Sequence, residues 1–446
     1  MKRALAWCVA SALVWMPSTA WGQDDERDNE FGLSAQLLAR GEWRNGGLIH
    51  EAEQTEEPIG KIDDNATFIL SRMRLTATYA HRALSMKVTA QHAGVWGQSG
   101  KGTFNLYEAW ARLQSPKGLF AQIGRQELIY DDQRIIGNDD WTMAAQSHDV
   151  LRLGFDGEQH RAHLILAYNQ NAENTYGGNR YLNGAEPYKT MQTLWYHYQP
   201  ARVPIQVSLM AMNVGTQNMS TTSETEGSNI TEYQQLLGTY VKANPGKSQL
   251  EGSFYYQMGH NEYGIPIHAW MTAVKATYNF NNRWTAYGGY DYLSGDEHYN
   301  VPPAGGFGLQ RLTEIRGFNL LFGSHHQFYG AMDFFYLSTY YGGLTPGLQN
   351  LYAGTKWQPC KWLNLEAAYH YYATAVQVHN ADKALGHEVE LTATCYPMRD
   401  VKLSMSYTFM AGTPTMEKLK RTDKDHRLHW GWISATFTPQ FFKTKW

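Results

Sequence analysis

The most informative pattern in this chain is an alternation of apolar and polar residues that recurs from near residue 30 to the C-terminus. Residues 401–409 show it in its simplest form, since Val401, Leu403 and Met405 are apolar and the residues between them are polar. Successive side chains of a β-strand point to opposite faces of the sheet, so this segment predicts a strand with one apolar and one polar face.

The same alternation recurs in segments separated by gaps that are alternately short and long. The predicted strands are 31–43, 68–80, 83–95, 103–115, 119–129, 148–156, 159–170, 188–200, 203–213, 231–243, 248–259, 267–280, 283–295, 348–358, 362–373, 385–396, 400–411 and 427–438. The short gaps are rich in the turn residues Gly, Pro and Asn, and two of them are marked by Pro359 and Pro397. An even number of strands with short turns at one end and long loops at the other is typical of bacterial outer-membrane barrels. We therefore predict an all-β fold, a transmembrane antiparallel β-barrel of about 18 strands with short periplasmic turns and long extracellular loops.

Two regions depart from this simple rhythm. We interpret 296–347 as one long outer loop, with 330–342 as loop or as a hairpin folded into the pore, because a further strand would make the count odd. Near the C-terminus, Pro439 and the residues after it interrupt the alternation, so the last strand is expected to end near Phe437.

The N-terminus predicts export. Residues 1–22 have the features of a signal peptide, because Lys2 and Arg3 precede an apolar run that is followed by Pro17 and a small-residue cleavage site. That run is too short to span a bilayer as a helix, and no later run of 18 or more apolar residues occurs. Residues 23–446 are thus expected to form a single barrel domain in the outer membrane of a Gram-negative cell.

The amino-acid composition further limits the classes of protein to which the chain can belong. A mean hydropathy of −0.50 is compatible with a barrel, because lumen residues dilute those that face lipid. The formal net charge of −3 argues against a general nucleic-acid-binding protein. Aromatic residues make up 14% of the chain, which suits interfacial girdles, although large glycan-binding β-proteins are also rich in aromatics.

Charged residues within strands are expected to face the lumen, because placing Arg or Lys at the lipid midplane costs roughly 2–4 kcal/mol. The alternation predicts these pore-lining residues: Arg72, Arg74, Lys87, Glu108, Arg112, Arg152, Asp291, Glu366, Glu388 and Glu390. Basic members lie early in the chain and acidic members late, so a closed barrel would carry two walls of opposite charge. An arginine-rich wall attracts anions, and the alternative is a set of salt bridges that stiffen the barrel without selecting a solute.

Other candidate chemistry is weaker. Strand parity places Cys360 on the lumen face and Cys395 on the lipid face, which argues against a disulfide. Two groups of residues could ligate a metal ion, and these are Asp131, Asp132, Asp139 and Asp140 for Ca²⁺, and His325 and His326 with Asp333. Pairing with Arg134 and solitary structural histidines are the respective alternatives. No Ser–His pairing of a barrel lipase stands out, so we predict no enzyme, no cofactor and no metal.

One long segment carries a more specific motif, a Gly-Arg-Gln strand end, a Tyr-x-Asp-x-Arg loop, a Trp and an Asp-x-x-Arg-Leu strand start. Its members are Gly124, Arg125, Gln126, Tyr130, Asp132, Arg134, Gly137, Trp141, Asp149, Arg152 and Leu153. A second segment, Phe318 to Asp333, contains Phe-Asn-Leu-Leu-Phe followed by His326 and Tyr329-Gly330. Both segments, together with Arg72-Met73-Arg74, resemble the alginate export porin family of monomeric outer-membrane barrels.

The resemblance implies an 18-stranded barrel and passage of an anionic polysaccharide through an arginine-lined constriction gated by loops. It adds Arg125, Arg134 and Asp149 to the lumen candidates. Strict alternation from Ile123 would instead turn Arg125 toward lipid, unless a bulge or a position above the membrane intervenes. The late carboxylates weaken the case for a polyanion, so the resemblance supports a channel more firmly than it supports alginate.

We therefore expect a monomeric outer-membrane channel for passive passage of anionic polysaccharide, oligosaccharide or other anionic solutes, with the lipid bilayer and that solute as its partners. The alternatives are a general diffusion porin with little selectivity, a loop-plugged structural or adhesive barrel, and a secreted glycan-binding β-protein. For the channel, Arg74→Glu or Arg152→Glu is expected to shift ion selectivity toward cations.

Overall fold

The structure, a computed structural model, describes residues 29–45, 65–98, 102–173, 175, 180–182, 184, 186–219, 230–296, 313–335, 345–378, 380–420 and 427–446. The predicted signal peptide, residues 1–22, lies outside the described residues. None of the helices in the described ranges combines the length and the hydropathy needed to cross a membrane.

Every strand predicted from the alternation is present. The strands are β1 Glu30–Asn45, β2 Asn65–His81, β3 Leu84–Val95, β4 Thr103–Gln114, β5 Leu119–Gln126, β6 His148–Asp156, β7 His160–Tyr168, β8 Thr190–Tyr198, β9 Ile205–Gln217, β10 Thr231–Ala243, β11 Ser248–His260, β12 Pro266–Asn281, β13 Trp284–Leu293, β14 Leu348–Cys360, β15 Leu363–Ala373, β16 Ala384–Met398, β17 Val401–Gly412, β18 Arg427–Phe437 and β19 Gln440–Lys445. One short helix, α1 (Pro414–Lys420), follows β17, and a 3₁₀ turn spans His325–Gln327.

Each strand from β1 to β17 pairs antiparallel with the next, and β18 and β19 both pair with β1, which closes the sheet into a barrel. The last two segments are halves of one strand interrupted at Pro439, a residue that has no N–H to donate to the ladder. The carbonyl of Pro439 still accepts from the Ala35 N–H at 3.0 Å, and β19 then continues along Glu30–Ser34. The barrel therefore has the 18 strands predicted. The strand β18 ends at Phe437 as expected, and the sequence did not predict that β19 continues the same position of the barrel beyond Pro439.

Connections alternate in length as predicted. The barrel has a short-turn rim, where β6 meets β7 within residues 157–159, and a long-loop rim, from which 127–147 and 294–347 start. The described chain begins and ends at the short-turn rim, where Asn29 and Trp446 exchange backbone hydrogen bonds of 2.7 and 3.0 Å. Residues 330–335, the described part of 330–342, form no strand, which agrees with our interpretation of that stretch.

Two short-turn positions were misplaced by the sequence. Pro359 and Pro397 lie inside β14 and β16, at register shifts just before the turns, because a bulge accommodates a residue without an N–H. The shift places Cys360 and Cys395 in register with Leu363 on either side of β15, so the prediction that Cys360 faces the lumen is wrong. The two cysteines are free thiols, and one intervening strand separates them by roughly 10 Å.

The outer face of the barrel is apolar and edged by aromatic residues. Leu209 and Met405, about half exposed, are typical of the residues that face outward in mid-strand. Phe280 stacks on Trp284 at 4.7 Å near the short-turn rim, and Trp270 stacks on Tyr292 at 4.7 Å near the other. An apolar band between two aromatic girdles is the surface that a bilayer requires of a barrel.

The hydrophobic core lies inside the barrel. Along β6–β12 the residues that face the lumen are largely apolar and buried, among them Ile165, Met191, Met210 and Leu236. Side chains of two inward-folded loops pack against them, and these include Leu128, Ile135, Ile136, Phe318 and Phe322. One side of the lumen is therefore a packed protein interior, which leaves the remaining wall for solutes.

Candidate functional site

Two loops, 127–147 and 313–335, fold into the lumen and bind each other, and together we call them the partition. Ile136 and Phe322 form a parallel bridge. The Phe322 N–H donates to the Ile135 carbonyl at 3.0 Å, and the Gly137 N–H donates to the Phe322 carbonyl at 2.8 Å. With backbone groups satisfied between the loops, the partition is an ordered internal wall rather than a loose insertion.

Arg134 connects both halves of the partition to the barrel. Its guanidinium lies 2.9 Å from the Asp132 carboxylate and 2.8 Å from Asp291 of β13, and it donates to the Tyr329 hydroxyl at 3.2 Å. The guanidinium also stacks over the Phe328 ring at 4.1 Å. Because Arg134 is buried and fully engaged, it acts as a structural clamp, whereas the sequence analysis placed it among the residues that contact solute.

The charge of this clamp is maintained by its neighbours. Burial by itself would lower the pKa of Arg134, but the carboxylates of Asp291 and Asp132 raise it well above its ordinary value, so the guanidinium stays charged. The other oxygen of Asp291 accepts from the Asn350 amide at 2.9 Å, and His370 contacts Asn350 at 2.9 Å. The clamp is thus one end of a polar network along the lumen wall.

Arg72 and Arg74 also hold the partition. Both guanidinium groups lie against one carboxylate, that of Asp140, at 3.0 and 2.7 Å. Arg72 further donates to the backbone carbonyls of Asp140 and Thr142 at 3.1 Å, and Arg74 stacks over the Tyr107 ring at 3.8 Å. The two arginines face inward as predicted, but they are buried anchors that share one negative charge.

A second anchor on β1 was missed by the sequence analysis. Glu42 lies 2.8 Å from Arg40 and 3.0 Å from Arg44, so two cations again share one carboxylate. Arg40 stacks over Trp141 of the partition at 3.8 Å and donates to its carbonyl at 3.0 Å. Trp141 in turn stacks on His326 at 3.9 Å. The alternation of Arg40, Glu42 and Arg44 within the first predicted strand was a signal that could have identified this anchor.

Three further cations of the early strands face the lumen as predicted. Lys87 pairs with Glu108. Arg112 lies 2.7 Å from Asp156 and stacks over the Phe120 ring at 3.8 Å. Arg152 donates to the Gln122 amide oxygen at 2.7 Å and, among the described residues, has no carboxylate within 4 Å.

Arg125 and Asp149 are not in the lumen, and their prediction as pore-lining residues is wrong. They are register partners on β5 and β6, on the same face as Ile123, which is 62% exposed on the outer surface. Arg125 binds Asp149 through two hydrogen bonds, one of 2.9 Å. No register shift occurs between β5 and β6, so the strict alternation holds and the pair lies outside, near the long-loop rim.

The late wall is less acidic than predicted. Asp291, Glu366, Glu388 and Glu390 do face inward, but so do Lys242, Lys275 and Lys356, which alternate with outward apolar residues. Lys356 lies 3.1 Å from Glu366. The expected two walls of opposite charge are therefore a basic wall, with its arginines in excess over their carboxylates, and a mixed wall.

Glu388 binds the partition to the late wall. Its carboxylate accepts from the Ala331 N–H at 2.7 Å and is almost completely buried. Gly330, in the second motif, has φ of +89° and a Cβ there would lie 1.9 Å from the Tyr372 hydroxyl, so only glycine fits beside this carboxylate. Glu388 is consequently a structural residue of the loop seat.

A cavity of about 420 Å³ remains between the partition and β10–β16 toward the short-turn rim, and we call it the vestibule. Tyr240 donates to Glu251 at 2.6 Å, and Tyr287 donates to Glu366 at 2.7 Å. A second cavity of about 480 Å³ lies toward the long-loop rim, lined by residues that include Tyr188 and Phe322. Open space is therefore present on both sides of the partition.

The two candidate metal sites are taken up by other contacts. Asp131 accepts from the Trp195 indole at 3.1 Å, and Asp132 and Asp140 bind arginines, so the aspartates diverge. His326 lies 2.6 Å from Asp333, while His325 contacts the Leu320 carbonyl at 3.2 Å. Across the described ranges no three His, Cys, Asp or Glu side chains are arranged to hold a metal ion.

Comparison with known proteins agrees with this geometry. Solved structures with a similar fold include OpdQ of Pseudomonas aeruginosa (TM-score 0.60, 12% identity, 92% of this chain and 98% of that chain) and a BenF-like porin from Pseudomonas fluorescens Pf-5 (TM-score 0.59, 11% identity, 92% and 99%). OpdK of Pseudomonas aeruginosa is similar to the same degree (TM-score 0.59, 9% identity, 92% and 99%). None of the curated proteins compared with the chain matches it. The family model for alginate export matches residues 69–384, and the chain is thus an outer-membrane channel protein that belongs to the alginate export family.

Proposed function

We propose that this channel carries anionic solutes passively, with acidic oligosaccharides and polysaccharides as the principal class. Membership of the alginate export family supports a role in moving acidic sugar polymers. Passive passage requires only a concentration gradient. Direction of flow is then set by that gradient.

The observation that carries the proposal is the excess of positive charge on the basic wall. The arginine clusters around Asp140 and Glu42 each hold two guanidinium groups and one carboxylate. Arg152 adds a guanidinium that has no carboxylate within 4 Å among the described residues. A lumen wall with a surplus of one sign raises the local concentration of solutes of the opposite sign.

The partition gives a specific reason to consider a second candidate, a barrel closed by its own loops. Its two halves are joined by backbone hydrogen bonds and clamped by Arg134. A permanently seated partition would restrict flow strongly, as in a structural or adhesive barrel. Conductance separates the two candidates directly.

The experiment is single-channel recording of the purified protein in a planar bilayer, with the reversal potential measured in a KCl gradient. An anion-selective pore that is blocked by oligouronates is the expected result. Arg152→Gln should shift the reversal potential toward cation selectivity and weaken the block. Arg152 is a better test than Arg74, because Arg74 also anchors the partition.

Arg125→Gln is the matched control. It removes the same charge as Arg152→Gln, but from the outer face of the barrel, so selectivity should not change. A weakly selective pore indifferent to uronates would replace the proposal with a general diffusion porin. Absence of conductance would favour the closed barrel.

A further inference from the structure

The vestibule contains opposite charges that are adjacent but do not pair. Glu251 of β11 and Lys275 of β12 are register partners on the lumen face, a position in which opposite charges usually attract each other. Glu251 instead accepts hydrogen bonds from Tyr240 at 2.6 Å and Gln249 at 2.9 Å. The Lys275 ammonium lies 5.1 Å from the centroid of the Tyr287 ring.

Lys275 has unused binding capacity. Among the described residues its ammonium has no carboxylate within 4 Å and no hydrogen-bond acceptor, although it carries three N–H donors. The side chain is partly exposed and lines the vestibule. A solute carboxylate entering the vestibule would supply the missing acceptors.

A carboxylate with free hydrogen-bond acceptor positions faces the same cavity. Glu251 accepts two hydrogen bonds, whereas an ionised carboxylate has about four acceptor positions. Glu390 also lines the vestibule, but it belongs to β16, four strands from Lys275, and is too far away to share a small ligand with Glu251. Lys356, by contrast, is already neutralised by Glu366 at 3.1 Å.

Aromatic faces complete the vestibule. Tyr287, Tyr352 and Phe328 line it together with the charged groups. An ammonium group is attracted to the face of a tyrosine ring as well as to a carboxylate. The cavity volume of about 420 Å³ lies in the range of small-molecule sites and is too small for a length of polymer.

From these observations we propose that the vestibule binds a small zwitterion of the amino-acid or dipeptide class, with its carboxylate on Lys275 and its ammonium on Glu251. A simple anion would satisfy Lys275 but be repelled by the Glu251 carboxylate. A simple cation would satisfy Glu251 but be repelled by Lys275. The proposal goes beyond anion passage, because it assigns the binding of zwitterions to residues of the mixed wall.

The test is block of single-channel current by L-alanyl-L-alanine added from the short-turn side. N-acetyl-L-alanine, which is only an anion, and L-alaninamide, which is only a cation, serve as probes of comparable size. The dipeptide should block at concentrations where neither singly charged probe does. Lys275→Gln and Glu251→Gln should each raise the half-blocking concentration about tenfold, because each removes one charge-assisted hydrogen bond.

Two control variants distinguish the loss of the Lys275 charge from a general effect of substitution on folding. Lys275→Arg keeps the cation and should keep the block, whereas Lys402→Gln removes an inward lysine of β17 outside the vestibule and should not weaken it. Equal block by the dipeptide and N-acetyl-L-alanine, with no effect of Glu251→Gln, would overturn the proposal and leave an anion site. The KCl reversal potential tests anion selectivity independently, so the two proposals can fail separately.

Discussion

At the scale of single residues, Arg134 is the most consequential side chain of the lumen. It balances the buried Asp291 and the partly buried Asp132, and its removal leaves both without their cation. Arg134→Met keeps the volume of the side chain but should destabilise the seated partition by about 3–5 kcal/mol, the usual cost of breaking a buried ion pair. We expect a larger and noisier single-channel conductance and a lower midpoint of heat-induced unfolding on gels.

The second variant in this test is Arg134→Met combined with Asp291→Asn. The neutral amide no longer needs a cation and should recover part of the heat stability. A single variant with the conductance and unfolding midpoint of the original protein would show that the partition does not depend on this clamp.

Residues in strands were the ones whose orientation the sequence predicted well. Arg72, Arg74 and Arg152 face inward as the alternation requires. Arg125 and Asp149 were placed in the lumen by the family motif against the alternation, and the structure follows the alternation. What the sequence did not predict is whether an inward arginine is free, because Asp140 comes from a loop whose path is not periodic.

At the scale of elements, the partition loops should respond to pH. Burial raises the pKa of Asp139 to about 6 and, likewise, the pKa of Asp131 to about 6, both in the loop 127–147. A carboxyl whose pKa is higher in the seated loop than its ordinary 3.8 binds its proton more tightly there, so seating is favoured as pH falls from 7 through 6 toward 4. The neighbouring Asp333 carboxylate also raises the pKa of Asp139, whereas His326 lowers it.

We therefore predict fewer partition openings at pH 5 than at pH 7, measured as the frequency of current steps in planar bilayers. The double variant Asp131→Asn with Asp139→Asn mimics the protonated form and should show the low frequency at both pH values. Asn also suits residue 139, whose φ is +41°. An unchanged pH dependence in this variant would assign the response to other groups.

Strand elements were predictable because each keeps its period of two over eight or more residues. The strand predictions fail only at strand ends, where proline was interpreted as part of the turn itself. In β14 and β16 it marks a bulge that precedes the turn and reverses the facing of the next residue, as it does for Cys360. The order of apolar and polar residues does not distinguish a proline in the turn from a proline in a bulge before the turn, because both lie near a chain reversal.

At the scale of the whole molecule, the unexpected feature is that the barrel has apolar surface on both sides of one wall. Inward residues of β9 such as Met210, Met212 and Val214 are buried against neighbours inside the lumen, while Leu209 faces outward. Alternation from lipid to water predicts polar residues at these inward positions. The partition is therefore part of the protein core, and the sequence gives no periodic signal for a core built from loops.

This has a consequence that deletion can measure. The ends of the loop 294–347 are held together, since the Asp296 N–H donates to the Thr345 carbonyl at 2.8 Å and the Asp296 carboxylate accepts from the Thr345 N–H at 3.0 Å. Residues 297–344 can thus be replaced by a short Gly-Ser linker without straining β13 or β14. Because the deletion would wet the apolar wall of β6–β12, we expect a marked loss of heat stability together with a rise in conductance.

The matched control replaces residues 46–64 with the same linker, since the flanking Asn45 and Asn65 are register partners joined by a side-chain hydrogen bond of 3.1 Å. It shortens a loop without removing the partition, and should leave conductance and the unfolding midpoint close to those of the original protein. A barrel that lost residues 297–344 and gained conductance at unchanged heat stability would mean that the partition is a detachable plug. A rise in conductance accompanied by a lower unfolding midpoint would instead mean that the channel and its core are one structure, in which any opening of the pore has to be limited to displacements that keep β6–β12 covered.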